Sequence, residues 1–215
     1  GAGLHVRAGY ERFHVPGDRT GSRNGWYVLY LDGIASGAFG SWKAGSSRTW
    51  SSREPADSRE AEQLRQRIEQ AKRQREAEQH QRQQAAAERA GRLWRAAGSA
   101  DPAHPYLIAK GVKAHGMRQR GDELLVPLIH AGRVVNLQRI ALDGTKRFLF
   151  GGRVAGCYSP IGSIEAGGLL YVCEGWATGA TLHEHTGAAV ACAMNAGNLL
   201  EAGRQLHRLY PDAQL

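Results

Sequence analysis

The pattern of apolar and polar positions divides the chain into four stretches, 1–55, 56–98, 99–166 and 167–215. The last is the most regular. Leu169-Leu170-Tyr171-Val172-Cys173 is an unbroken apolar run, which predicts a strand buried on both faces, as central parallel strands are. The run ends on Glu174. Gly175 lets the chain turn there, and 177–185 can be helical before Gly187 stops it. A second apolar strand is expected over 188–193, followed by the loop Met194-Asn195-Ala196-Gly197. Asn198 then reads as the cap of a helix, with Glu201 in the capping-box position and Leu199, Ala202, Leu206 and Leu209 in helical spacing, until Pro211 ends it. Residues 212–215 look like the approach to a third strand. A βαβα unit results, and a carboxylate at the C-terminal end of a central strand lies where open α/β sheets hold their ligands.

Upstream the periodicity changes. Gly98 to Pro102 reads as a linker, and 124–129 and 134–140 as the two strands of a hairpin around His130-Ala131-Gly132-Arg133. Asp143-Gly144 is a turn before a further strand over 145–150. Residues 58–97 are rich in Glu, Gln, Arg and Ala behind the capping pair Asp57-Ser58, and predict one helix of roughly 60 Å at 1.5 Å per residue. Its apolar stripe, Ala61, Leu64, Ile68 and Ala71, is short, and polar residues then surround the helix until Leu93 and Trp94, which favours a solvated spacer over a partial coiled coil. The first stretch is β-rich, with a strand at 26–31, the hairpin signal Asp32-Gly33 and a return strand over 34–42. Trp26, Tyr30, Phe39, Trp42 and Trp50 with Arg19, Arg23, Lys43 and Arg48 form either a face for stacking and phosphate contact or the core of a small sheet.

Charge narrows the function class. A formal net charge of +8 draws the chain to polyanions. No apolar run approaches the roughly 18 residues of a membrane span. Cys157, Cys173 and Cys192 are far apart and contain no Cys-x-x-Cys pair, so no zinc ribbon is present; they read as reduced, buried thiols of a cytoplasmic protein. His183-Glu184-His185 lacks the spacing of a helical zinc motif, and no Gly-x-x-x-x-Gly-Lys-Ser/Thr loop occurs.

The stretch from the apolar strand through Glu174-Gly175, the small-residue helix and Ala193-Met194-Asn195-Ala196-Gly197-Asn198 resembles the Toprim domain of primases, topoisomerases and some nucleases. His104-Pro105-Tyr106-Leu107-Ile108-Ala109-Lys110-Gly111-Val112 and the hairpin after it resemble the opening of the RNA-polymerase core of bacterial replicative primases, in particular those of phages, plasmids and integrated elements. The implied fold is α+β: a small β-rich N-terminal module, a long polar helix, a primase-core β region and a partial, Rossmann-like Toprim sheet. The implied function is template-directed RNA primer synthesis by metal-dependent nucleotidyl transfer, with single-stranded DNA and ribonucleoside triphosphates as partners; the resemblance also allows a replicative helicase.

By the same resemblance Glu174 is the catalytic residue and a magnesium ligand. The family completes its magnesium site with an Asp-x-Asp pair at the end of the next strand. None occurs in these 215 residues, so the expectation is that those ligands lie beyond Leu215 and that the stretch alone is inactive. Lys146 foremost, then Arg147, Arg133, Arg139 and Arg153, are expected to line a basic groove for template or triphosphate, with Asn195 shaping the loop beside the metal. Another Toprim enzyme, a nuclease or topoisomerase, and a non-catalytic nucleic-acid-binding or assembly module remain as alternatives.

Overall fold

A computed structural model describes residues 8–18, 20–31, 33–41, 44 and 46–215; the side chains at 46, 71 and 75 fall outside that description. Arg19, Asp32, Trp42 and Lys43, and the side chain of Ala71, therefore lie outside the described residues. The chain divides into two compact units, Gly1–Gln74 and Arg75–Leu215.

In the first unit, β1 (Gly9–Phe13), β2 (Gly25–Tyr30), β3 (Ser36–Ser41) and β4 (Ser46–Ser51) form an antiparallel meander in sequence order. Gly37 permits the close pairing of β3 with β2, because a Cβ there would stand 2.2 Å from the Val28 carbonyl oxygen. Helix α1 (Ser58–Ala96) starts behind Asp57, whose Oδ1 accepts from the Glu60 amide at 2.8 Å. Glu60 in turn accepts from the Arg53 guanidinium and from the Ala56 amide, and these hold its carboxyl down at about 2.

In the second unit, β5 (Gly98–Ser99), β6 (Arg118–Arg120), β7 (Glu123–His130), β8 (Arg133–Ile140) and β9 (Lys146–Phe148) make a five-stranded antiparallel sheet in that order. One face carries Leu125, Leu137 and Leu149 and packs on Ala90, Leu93 and Trp94 of α1. The final turns of α1 are therefore not a solvated spacer. Their stripe is built on alanine: Ala86 and Ala90 are buried and continue into Leu93, Trp94 and Ala97 at helical spacing. The other face carries Leu124, Val126, Leu128 and Ile140 and packs on helix α2 (Pro105–Lys110) and on Trp176.

Buried His104 caps α2. Its Nδ1 accepts from the Tyr106 amide at 3.2 Å, which leaves Nε2–H to donate to the Asp122 carbonyl at 3.1 Å. The final part is β10 (Ser159–Ile161), β11 (Leu170–Cys173), α3 (Trp176–Thr186), β12 (Ala189–Cys192), a 3-10 turn (Ala196–Asn198) and α4 (Leu199–Leu209). Strand order is β10-β12-β11, with β11 and β12 parallel and β10 antiparallel to β12. The strand buried throughout is thus β12, all four of whose residues are buried, whereas Tyr171 and Val172 of β11 are partly exposed. Gln214 pairs in parallel with Leu169, so the chain approaches the free side of β11. The two sheets are joined where Ile129 and Tyr158 exchange backbone hydrogen bonds of 2.7 and 3.1 Å. Among the described residues no helix is long and apolar enough to cross a membrane.

Candidate functional site

Parallel pairing aligns the C-terminal ends of β11 and β12, with Cys173 opposite Cys192 and the Ala193 amide donating to the Cys173 carbonyl at 2.8 Å. Glu174 is the next residue on one strand and Met194-Asn195 follow on the other, so both reach the same edge of the sheet. Glu174 is exposed, and no hydrogen bond or ion pair among the described residues engages its carboxylate. Gly175 starts α3 in an extended conformation with no side-chain cap. The helix then lies tightly on the strands: a Cβ at Gly179 would stand 2.3 Å from the Cys192 sulfur and 3.2 Å from that of Cys173. Those two free thiols are buried 3.8 Å apart, with the Cys173 proton shared toward Cys192 and the Gly175 carbonyl.

Asn198 holds this edge together, and not by capping. It is only 3% exposed and its side chain makes no cap hydrogen bond to α4. Oδ1 accepts from the Gly156 amide, and Nδ2 donates to the carbonyls of Cys157 and Ala193, each at 2.8 Å. One amide thereby fastens the end of β12 to the loop before β10. Glu201 makes no capping box; its carboxylate meets Arg204 at 2.7 Å. Met194, with φ +71, turns the chain sharply between the two. Asn195 is half-buried beside this turn and its side chain makes no cap hydrogen bond to the 3-10 turn.

The basic residues expected to line one groove lie on different surfaces. In the five-stranded sheet Lys146 stands opposite Ile140, on the face that packs on α2, and its ammonium lies over the Tyr106 ring at 5.2 Å from the centroid. The Tyr106 hydroxyl beneath is buried without a hydrogen-bond partner among the described residues. Arg147 and Arg139 face each other across β8 and β9 in the same row as Leu125, which places them on the opposite face, toward α1. The reason is the strand itself, since neighbouring residues point to opposite sides. Arg139 is partly neutralised by Glu123 at 3.3 Å.

Arg133 and Arg153 belong to a third group, of which Arg153 is tied to the Glu174 edge. Arg133 pairs in register with His130 at the β7–β8 turn. Arg153 donates from Nε to the Ala155 carbonyl at 2.9 Å, next to Gly156, the residue Asn198 holds. Burial, and secondarily the Arg153 charge, push the His130 imidazole below its ordinary value. Geometry thus joins Glu174, Asn195 and, through Asn198, Arg153. Arg139 and Arg147 stand apart.

The first unit separates the aromatic residues by face. Tyr27, Phe39 and Arg48 stand in one cross-strand row, and strand alternation puts Phe13 and Trp50 on that same face. Phe39 and Trp50 are 48% and 49% exposed, which is too open for a core. Trp26 and Tyr30 take the other face, where Val28 is buried.

No protein-family model matches the chain. No solved structure matches it either. Curated relatives do match it. Over an alignment of 211 residues, 94% of this chain, it is 35% identical to a DNA primase TraC of Escherichia coli. It is 32% identical over 218 residues, again 94% of the chain, to another DNA primase TraC of Escherichia coli. The matched segments are 14% and 20% of those relatives, so the chain spans about a seventh to a fifth of their length. These similarities support a primase-type family.

Proposed function

We propose that this chain is a template-binding segment of a DNA primase, holding single-stranded DNA and ribonucleoside triphosphates beside the edge that carries Glu174. The observation that carries the reading is the similarity to DNA primases along 94% of the chain, which takes in both that edge and the basic sheet. Residues 167–215 are read as part of a Toprim-type sheet. In support, β11 and β12 are parallel and Glu174 follows β11 directly, where α/β sheets gather their ligands.

Making a primer is phosphoryl transfer, in which the protein mostly positions reactants and stabilises negative charge. Arg153, Arg133 and Lys146 are suited to hold phosphates, and Asn195 to orient a nucleotide at the strand ends. Magnesium would supply the charge neutralisation that such transfer needs. Glu174 is an oxygen donor of the right kind, but among the described residues no group of three or more His, Cys, Asp or Glu could hold a metal ion. These residues therefore do not make a magnesium site by themselves, and Glu174 is read as one carboxylate contributed to it.

The test is binding of a labelled single-stranded oligonucleotide at several salt concentrations. We expect affinity to fall linearly on logarithmic axes, with a slope of about 0.7 for each phosphate neutralised, and Arg153→Ala and Lys146→Ala each to weaken it. Absence of salt-sensitive binding would overturn the reading.

A further inference from the structure

Residues 149–152 form a tight turn closed by the Gly152 amide donating to the Leu149 carbonyl at 3.1 Å. Gly151 has φ +79, as the third position of a type II turn requires. Phe150 occupies the second position and is 91% exposed. Among the described residues the next most exposed large apolar side chain, Ile108, is 66% exposed. A lone exposed apolar side chain is ordinary. What is not ordinary is how this one is held.

Fully buried Asn136 clips both ends of the turn. Its Oδ1 accepts from the Leu149 amide at 3.2 Å and from the Leu137 amide at 2.8 Å, while Nδ2 donates to the Arg153 carbonyl at 3.1 Å. Gly152 lies flat on that amide, since a Cβ there would come within 2.4 Å of it. Both glycines are thus spent on presenting the ring. Phe148 and Leu149 turn inward, so no apolar patch of the kind a protein partner covers continues from it. The neighbouring sequence is cationic instead: Arg147 and Arg153 stand three residues before and after Phe150, with no acidic residue between them.

We propose that Phe150 is a stacking platform for a base of single-stranded nucleic acid, with the neighbouring arginines on its phosphates. This rests on the template-binding reading above and adds a site to it. An exposed ring held on a fixed turn, with arginines close to it along the chain, is what sequence-tolerant strand binding uses.

The experiment is fluorescence anisotropy of a labelled dT20 oligonucleotide with the full 215-residue chain. Phe150→Ala is expected to weaken binding about fivefold to a hundredfold, the range one base–ring stack supplies, with its salt slope unchanged. Phe150→Trp should bind within about threefold of the parent, whereas Phe150→Leu should lose nearly as much as alanine. Arg147→Ala should lower the salt slope by about 0.7 to 1. Because the ring is exposed, the thermal midpoint of each Phe150 variant should stay with the parent. Unchanged affinity in Phe150→Ala, or full affinity in Phe150→Leu, overturns the inference while leaving template binding intact. Unchanged DNA affinity with lowered self-association would make the ring a protein contact and also overturns it. No salt-sensitive binding by the parent overturns both readings.

Discussion

Replacing Asn198 by alanine removes three hydrogen bonds of 2.8 Å at once and leaves the Gly156 amide and the Cys157 and Ala193 carbonyls without partners. Each unpaired buried backbone group costs about 1–3 kcal/mol, and some relaxation around the vacated space is expected, so the total is about 3–5 kcal/mol. With a urea dependence of about 2–3 kcal/mol per molar, the midpoint should fall by about 1–2.5 M. Hydrogen exchange of 189–193 during the urea titration reads the second unit by itself. Asn198→Asp should be at least as damaging at neutral pH, because it keeps an acceptor for Gly156 but turns a carboxylate toward two carbonyl oxygens. Glu201→Ala is the control. In a capping box it would cost about 1 kcal/mol, but as the exposed partner of Arg204 it should cost under about 0.5 kcal/mol. A loss below about 1 kcal/mol in Asn198→Ala, or an equal loss in Glu201→Ala, would refute the stapling role.

Gly179→Ala should destabilise by about 1–3 kcal/mol through its clash with the Cys192 sulfur, and adding Cys192→Ala should recover part of that; a strictly additive double variant would show that the contact does not matter. Glu174→Gln should leave oligonucleotide affinity within about twofold, since the exposed carboxylate holds no neighbour, and a large change in anisotropy would make it a binding residue instead. His130 has a folded value depressed below 6.5, so the stability it contributes is present above that pH and is lost as pH falls through the folded value. His130→Gln should therefore flatten the decline of the thermal midpoint on acidification from pH 6.5, and a superimposable profile would count against the burial argument. Burial raises the Cys157 thiol to about 11, so iodoacetamide at pH 8 should label it far more slowly in the native than in the urea-unfolded chain; equal rates would contradict its burial.

Long periodic patterns were readable from sequence because they express burial directly. The helix expected over 58–97 runs Ser58–Ala96, and the hairpin at 124–140 appears as β7 and β8. Short strands such as β6 and β10, of three residues each, carry too little alternation to be seen. The alanine stripe of α1 was missed because alanine is neutral to hydropathy patterning, yet it lets a helix approach a sheet closely. Burial of β12 rather than β11 depends on strand order, which periodicity does not encode. Asn136 was overlooked and Asn198 misread for one reason. A buried amide is defined by distant backbone partners, and sequence shows only neighbours. One signal was available for Asn136: a polar amide inside the apolar run Val134-Val135-Asn136-Leu137 has to find partners when buried. Grouping the basic residues failed at Lys146-Arg147, where strand alternation sends consecutive side chains to opposite faces.

The other proposals depend on single-stranded template being held on the basic surfaces of the second unit. Photo-crosslinking a single-stranded oligonucleotide containing 5-iodouracil, followed by peptide mass spectrometry, tests it most directly. Crosslinked peptides are expected from 133–153 and from the loop around Asn195, diminished by Arg153→Ala and by competing unlabelled strand. Crosslinks confined to 8–74, or none that a competing strand removes, would contradict it.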